Sequence, residues 1–152
     1  MDFMPIEAYV PHRSSMLLIH RLIEAGDTHA VAEVVVPADG LFTRDGVVPA
    51  WVGIEYMAQT IAAWSGARHR RAGGEPRPGM LLGTRRYDAL GADFPVGASL
   101  RVEVSQEFIG ANGLGMFDCR ILKDGEPVAT ARLSIYEPDK GIAFIHSENP
   151  HG

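Results

Sequence analysis

The sequence has a single cysteine, Cys119, among its 152 residues. One thiol excludes an intrachain disulfide and any zinc site built from several cysteines. Cys119 falls within a predicted strand, where a buried and unreactive thiol is the common state. No two histidines have the spacing of metal ligands on one recognisable element, so we predict neither a metal nor another cofactor.

Long apolar runs, export signals and excess positive charge are also missing. No apolar stretch is long enough to cross a bilayer, and residues 1–5 lack the basic and apolar regions of a signal peptide. We therefore expect a cytoplasmic protein that binds no membrane. The formal net charge is −5, which argues against general nucleic-acid binding.

The remaining composition is that of one globular domain. Apolar residues make up 46% and charged residues 22% of the chain, a balance typical of proteins with a packed core. The length also fits one domain. We expect this domain to span residues 1–152, with residues 138–152 forming a mobile tail.

One long helix is predicted from Ala50 to about Arg71. Pro49 stands at its start, where proline does least harm, and Gly73 and Gly74 end it. Apolar residues occupy most of the helix circumference, so the helix should be largely buried.

Strands are predicted on both sides of this helix from β-branched and alternating segments separated by turn signals. Two precede it, at Leu17–Glu24 and Ala30–Val36. Four follow it, at Met80–Asp88, Ser99–Ile109, Leu114–Lys123 and Pro127–Tyr136. The order predicts an α+β hotdog fold, in which an antiparallel sheet of about six strands wraps around one long central helix. One helix cannot cover both sheet faces, so we expect a dimer joined through sheet edges or helix flanks.

Two segments resemble the 3-hydroxyacyl-acyl-carrier-protein dehydratases. The segment Val10–Arg21 is similar to the family's Leu-Pro-His-Arg opening, which leads into an apolar strand ending in Asp-Arg. The segment Pro49–Gln59 resembles the family's helix, where a Pro-Gly pair comes shortly before Glu-Ala-Met-Ala-Gln. The order of strands and helix is similar as well. The resemblance implies a lyase that removes water from 3-hydroxyacyl thioesters on acyl carrier protein, in fatty-acid or polyketide-type synthesis.

The loop before the helix departs from this family. The family has Gly-His-Phe-Pro there, and its histidine is the catalytic base, whereas this chain has Gly40-Leu41-Phe42-Thr43. A leucine at position 41 cannot move a proton. The pattern resembles a divergent dehydratase-like subfamily of bacterial aryl-polyene and related pigment pathways, whose members can pair with a second dehydratase-like subunit.

Dehydration requires a base, an acid and donors that stabilise the enolate oxygen. The backbone N–H groups of Ala50 and Trp51, at the positive end of the helix dipole, are the candidate donors. Glu55 is the candidate acid, because burial favours a neutral carboxyl group. Gln59 lies four residues on, on the same face, and can hydrogen-bond Glu55. An exposed Glu55 that pairs with an arginine is the structural alternative.

The missing base has three candidate sources. A partner subunit can supply a histidine across the dimer interface, or His12 or His20 of this chain can reach the site. The third alternative is that no base exists and the subunit is catalytically inactive. His12 matches a histidine that looks structural in the relatives, and His20 alternates with apolar strand residues, so a structural role is favoured for both.

Two larger sets of residues are candidates for binding the substrate and its carrier. An arginine cluster can dock the acidic acyl carrier protein, or it is only a solvated helix end. Its members are Arg68, Arg70, Arg71, Arg77, Arg85 and Arg86. Apolar side chains can line an acyl slot between helix and sheet, although each is also an ordinary core residue. These are Met57, Ile61, Trp64, Met80, Leu81 and Leu82.

Three functions follow from these observations. The leading hypothesis is a dehydratase, or one subunit of it, acting on carrier-bound 3-hydroxyacyl chains. The second is a non-catalytic partner that completes a heterodimer with an active dehydratase. The third is a hotdog thioesterase, in which a carboxylate activates water.

Overall fold

An antiparallel sheet makes up most of the fold in the computed structural model, which describes residues 3–10, 16–73, 80–91, 93–110 and 112–136. Its strands are β1 (Arg21–Ala25), β2 (His29–Val35), β4 (Met80–Ala89), β6 (Ser99–Ile109), β7 (Leu114–Lys123) and β8 (Glu126–Tyr136). Six strands run in the order β1-β2-β6-β7-β8-β4. Two short strands, β3 (Val47–Val48) and β5 (Phe94–Pro95), pair with each other beside it.

One long helix, α1 (Gly53–Arg71), packs against this sheet. It contacts β1, β2, β6, β7 and β8, and the residues that it buries lie around most of its circumference. Short 3-10 turns lie at Ile6–Ala8 and at Ala50–Val52. The second turn leads directly into α1, so the helix predicted from Ala50 begins as a tighter turn. There the Val52 N–H donates to the Pro49 carbonyl at 3.0 Å.

The sheet has an apolar inner face and a charged outer face, as strand alternation requires. In β7, Phe117, Cys119 and Ile121 are buried, whereas Asp118 and Arg120 between them are exposed. Burial, together with the neighbouring charge of Asp118, raises the pKa of the Cys119 thiol well above its usual range. Cys119 is therefore a core residue and no nucleophile.

The predicted sheet of about six strands around one central helix is confirmed, with one exception at its first strand. Residues 17–20 are not part of β1. The Leu18 N–H donates instead to the Gln59 side-chain oxygen at 2.9 Å. Pairing with β2 begins where the His20 N–H donates to the Glu33 carbonyl at 2.8 Å. A tertiary contact with the helix therefore overrides the local strand pattern.

The sheet ends at β1 on one side and at β4 on the other. β4 pairs with β8 through two register shifts, between Leu81 and Gly83 and between Thr84 and Arg86. Such bulges bend a strand and increase its twist, and they are common at sheet edges. Among the described residues, no further strand covers either edge.

The described ranges contain neither a membrane-spanning helix nor a metal-binding cluster. None of the helices there is both long and apolar enough to cross a membrane. Within the same residues, no group of three or more His, Cys, Asp or Glu side chains is arranged to hold a metal ion.

Gly66 sets how closely α1 approaches the N-terminal segment. A Cβ atom at this position would overlap the backbone carbonyl of Tyr9. We expect Gly66→Ala to lower the free energy of unfolding by about 1–3 kcal/mol, because overpacking outweighs alanine's helix propensity. Urea unfolding measures the change. Gly91→Ala is the matched control, since nothing lies within 4 Å of its added Cβ. Equal losses in both variants would contradict the proposed overlap.

Candidate active site

Two side chains from distant parts of the chain hold the backbone of Ala50, at the start of the helical segment. The Ala50 N–H donates to Asp93 Oδ1 at 2.8 Å, and the Ala50 carbonyl accepts a hydrogen bond from the Tyr87 hydroxyl. The Ala50 N–H, predicted as a donor to the enolate oxygen, therefore already has a carboxylate acceptor. Among the described residues, the Trp51 N–H has no acceptor.

Tyr87 reaches Ala50 because Gly53 has no side chain. A Cβ atom on Gly53 would overlap the Tyr87 hydroxyl. Burial raises the pKa of Tyr87 to about 12. The pKa of neighbouring Tyr56, whose ring packs on Phe94, is also raised to about 12, by burial and then by Tyr87. Both phenols are therefore neutral near pH 7, and Tyr87 acts as a donor.

Glu55 lies half-buried in the first turn of α1. A carboxylate in a first turn interacts favourably with the helix dipole. Gln59 Nε2 donates to Glu55 Oε2 at 3.3 Å, so the structure brings these two predicted site residues together. Glu55 is thus neither in the dry core nor fully in solvent.

Gln59 is completely buried, and its shortest hydrogen bonds go to backbone groups rather than to Glu55. Its Nε2 donates to the Met16 carbonyl at 2.7 Å, and its Oε1 accepts the Leu18 N–H at 2.9 Å. These bonds fix the segment before β1 against α1. The structure therefore makes Gln59 a positioning residue that holds both Glu55 and this segment.

A pocket of about 290 Å³ lies beside the loop that carries Leu41. Leu41 and Phe42 form one wall, and Leu18, His20 and Tyr56 contribute to the others. Its volume is near the lower end of small-molecule sites. The loop position where relatives carry their base thus faces a cavity, but with an apolar side chain.

His20 lines this pocket, yet its ring is poorly arranged to accept a proton. The Val35 N–H donates to His20 Nδ1 at 3.2 Å. A neutral imidazole with Nδ1 as acceptor carries its proton on Nε2. The remaining ring nitrogen therefore donates, which argues against His20 as the base. His12, the other candidate in this chain, lies outside the described residues.

Several large apolar side chains near the start of α1 are exposed. Trp51 is 60%, Met16 51% and Leu41 46% exposed. The rings of Trp51 and Phe42 pack edge to face, with centroids 5.5 Å apart. Exposed apolar clusters of this kind mark interaction sites in folded proteins. Gln59 links the Met16 carbonyl to Glu55, so one member of this exposed set is tied to the candidate acid through a shared hydrogen-bond partner.

The predicted acyl-lining residues that can be described are core residues. Met57, Ile61 and Trp64 are each at most 2% exposed. The Trp64 indole N–H donates to the Gly26 carbonyl at 2.9 Å. The side chains of the other three candidates lie outside the described part of the structure; these are Met80, Leu81 and Leu82.

The predicted arginine cluster divides between two places. Arg68 stacks over the Trp64 ring at 4.4 Å, and Arg70 Nε donates to the Ala8 carbonyl at 3.0 Å; Arg71 is exposed beside them. Arg86 lies on the outer sheet face, 2.6 Å from Asp88 Oδ2. Arg77 and the Arg85 side chain lie outside the described structure.

Sequence reasoning missed both side chains that bind the backbone N–H and carbonyl of Ala50. Tyr87 and Asp93 are 37 and 43 residues away from Ala50 along the chain. Contacts at this separation leave no spacing pattern. The absence of a side chain at Gly53 was the only local sign that another group approaches closely here.

The chain matches one protein family over most of its length. A family model described as ApeP-like, ApeP dehydratase, matches residues 4–146. A chain of the dehydratase heterocomplex ApeI:P from Xenorhabdus doucetiae is 30% identical over 97% of this chain and 99% of that chain, with a TM-score of 0.86. These similarities confirm the resemblance inferred from the segments Val10–Arg21 and Pro49–Gln59.

More distant structures share the hotdog fold. A hypothetical thioesterase with coenzyme A from Streptococcus pneumoniae TIGR4 is 14% identical over 77% of this chain and 84% of that one, with a TM-score of 0.61. The PaaI protein of an E. coli phenylacetic acid degradation operon is 16% identical over 76% and 80%, with a TM-score of 0.59. At these identities the similarity shows the fold alone.

The contacts of Gln59 predict a structural cost that Glu55 does not share. We expect Gln59→Leu to lower the free energy of unfolding by about 2–4 kcal/mol, because two backbone groups lose their partners. Glu55→Gln keeps an oxygen acceptor facing Gln59, so the expected change is below about 0.5 kcal/mol. Urea unfolding of both variants measures the difference. Similar values would show that Gln59 does not anchor the segment before β1.

Proposed function

Because the chain belongs to the ApeP-like dehydratase family, we propose that it is a subunit of a dehydratase acting on 3-hydroxyacyl thioesters. The substrate is attached to acyl carrier protein in fatty-acid or polyketide-type synthesis, as in aryl-polyene pathways. The observation that supports this proposal most directly is Glu55, a half-buried carboxyl group in the first turn of α1 that accepts a hydrogen bond from Gln59.

The base of this dehydratase comes from a second, dehydratase-like subunit. Leu41 cannot accept a proton, and the acceptor nitrogen of His20 is already engaged by the Val35 N–H. The ApeI:P relative is a heterocomplex, which supports two unlike subunits here. A histidine in the partner's loop would then face Glu55 across the interface.

The exposed apolar side chains of Met16, Leu41 and Trp51, with Phe42 packed on Trp51, support this assembly. A single chain leaves the first three in contact with water. A partner that packs on this region would bury them, and where it also covers Glu55 it would remove water from around the carboxyl group, which favours the neutral acid. The partner therefore has two roles, as source of the base and as cover for the acid.

The reaction then runs in two steps with clear roles. The partner's base removes the proton from the carbon next to the thioester carbonyl, and the electron pair forms an enolate. When the enolate collapses, the bond from the adjacent carbon to its hydroxyl breaks, and Glu55 gives its proton to the departing oxygen. Water and an α,β-unsaturated thioester result. The Trp51 N–H is the available backbone donor for the enolate oxygen.

Two observations favour a second candidate, a non-catalytic partner. With Leu41 in its loop, this chain has no base at that position. The Ala50 N–H already donates a hydrogen bond to Asp93. In that case the chain stabilises an active dehydratase and contributes no reacting group. This second function also requires a heterodimer, but Glu55 has no catalytic role in it.

The Glu55→Gln variant separates these candidates. In the purified heterocomplex with a 3-hydroxyacyl-carrier substrate, we expect it to lower kcat by about 100-fold or more, the usual contribution of a general acid. Formation of the unsaturated product is followed by mass spectrometry, and gel filtration checks that the complex remains intact.

Three other outcomes would redirect the assignment. Full activity of Glu55→Gln, together with loss of activity when the subunit is omitted, would support the non-catalytic partner. Release of free thiol would indicate a thioesterase. Failure of the complex to remove water from any 3-hydroxyacyl thioester would refute the dehydratase proposal.

Restoring the base in the loop is a complementary test. We expect Leu41→His to give the chain detectable dehydratase activity without its partner when it forms a homodimer, because the introduced imidazole would then face Glu55 of the second copy. The measurement is product formation by gel-filtered dimers. Leu41→Ala is the control and should remain inactive. A dimeric but inactive Leu41→His variant would contradict the role given to this loop.

A further inference from the structure

Asp93 occupies the position at which a negatively charged oxygen would meet the start of the helical segment. Its Oδ1 lies 2.8 Å from the Ala50 nitrogen. The contact joins residues 43 positions apart, so it is not the local cap that commonly begins a helix. Asp93 is also exposed, so its carboxylate can leave this contact for water without becoming buried and unpaired.

We propose that Asp93 is a displaceable occupant of the oxyanion position, which keeps the Ala50 N–H engaged until an acyl thioester is bound. This inference rests on the proposed dehydratase function and adds a positioning residue to it. Of the two predicted donors, the Trp51 N–H is the one that lacks an acceptor among the described residues in the resting chain. Full stabilisation of the enolate requires that Asp93 leaves.

The strengths of the competing acceptors explain why displacement follows the reaction. A carboxylate forms a charge-assisted hydrogen bond, roughly twice as strong as that of a neutral acceptor. A ground-state thioester carbonyl is neutral and competes poorly with it. The enolate oxygen carries negative charge and competes on equal terms, while repulsion between the two anions drives the exposed carboxylate towards water. The exchange therefore favours the transition state over the ground state.

Tyr87 fixes the second donor of this position during the exchange. Its hydroxyl donates to the Ala50 carbonyl, in the space left by Gly53, and this carbonyl belongs to the peptide group that carries the Trp51 N–H. The Trp51 N–H therefore keeps its orientation whether or not Asp93 is in place. An N–H group that is already aimed at its target needs no reorganisation when charge develops.

The occupancy of the donor can be measured without any ligand. Amide hydrogen exchange of Ala50, followed by NMR on the isotopically labelled chain in its complex, reports whether this N–H is engaged. We expect exchange about tenfold faster in Asp93→Ala than in the wild-type chain, because the acceptor is gone. Asp93→Asn should fall between them, since its neutral oxygen still accepts but more weakly.

Ligand affinity tests whether Asp93 competes with a bound ligand for the Ala50 N–H. The probe is a 3-hydroxyacyl pantetheine analogue with an amide in place of the thioester, and calorimetry with the complex gives its Kd. We expect the Kd to fall about tenfold in Asp93→Ala and about threefold in Asp93→Asn. A purely structural contact predicts the opposite, namely weaker binding and lower stability in Asp93→Ala with Asp93→Asn unchanged.

Asp45→Asn is the matched control, because it removes an exposed negative charge from the chain without touching Ala50. It should leave both measurements unchanged. If Asp93→Ala does not fold, Asp93→Asn decides alone, and unchanged Ala50 exchange or an unchanged Kd overturns the proposal. If the analogue binds the wild type but binds the variants no more tightly, only the role proposed for Asp93 is refuted. If it binds no form of the complex, the proposed function is refuted together with the role of Asp93.

Discussion

The side-chain amide of Gln59 is the interaction on which the candidate site depends. It is completely buried in α1, and it binds the backbone on both sides of Leu17. These bonds hold the segment before β1 against the helix, where Leu18 becomes a wall of the pocket beside Leu41. The same amide contacts Glu55. A single buried polar group thus sets the position of the pocket and of the candidate acid, and burial makes its bonds costly to break.

The elements with strong periodic patterns could be predicted from the sequence, and the errors lie where distant residues decide. The four strands predicted after the helix appear within one residue of their predicted bounds because alternation and turn signals agree there, whereas the short strand Phe94–Pro95 was not predicted. The segment Leu17–His20 has an equally good strand pattern, but Gln59 takes the Leu18 N–H. The donor role predicted for Ala50 has the same weakness, since nothing near it in sequence indicates Asp93. The arginine cluster divides because strand alternation turns Arg86 towards the outer face.

In the proposed reaction, this chain supplies the acid and lacks a base in the loop before the helix. Glu55 is held by Gln59 near the start of α1, whereas the loop presents the exposed side chain of Leu41. In the proposed heterodimer, two related subunits would therefore build one complete site and one incomplete site. Such an arrangement frees the incomplete half to change without loss of the reaction.

The irregular edge strand β4 has a consequence for how copies of this protein meet. Its pairing shifts twice within ten residues, so its outer backbone groups do not form an evenly spaced row. A regular edge can recruit one identical strand after another, which is the route to fibrils. An edge with two interruptions matches only a neighbour of complementary shape. The same irregularity that hinders open-ended polymerisation therefore makes the edge selective. A subunit with such an edge distinguishes a second copy of itself from a different chain through its backbone alone.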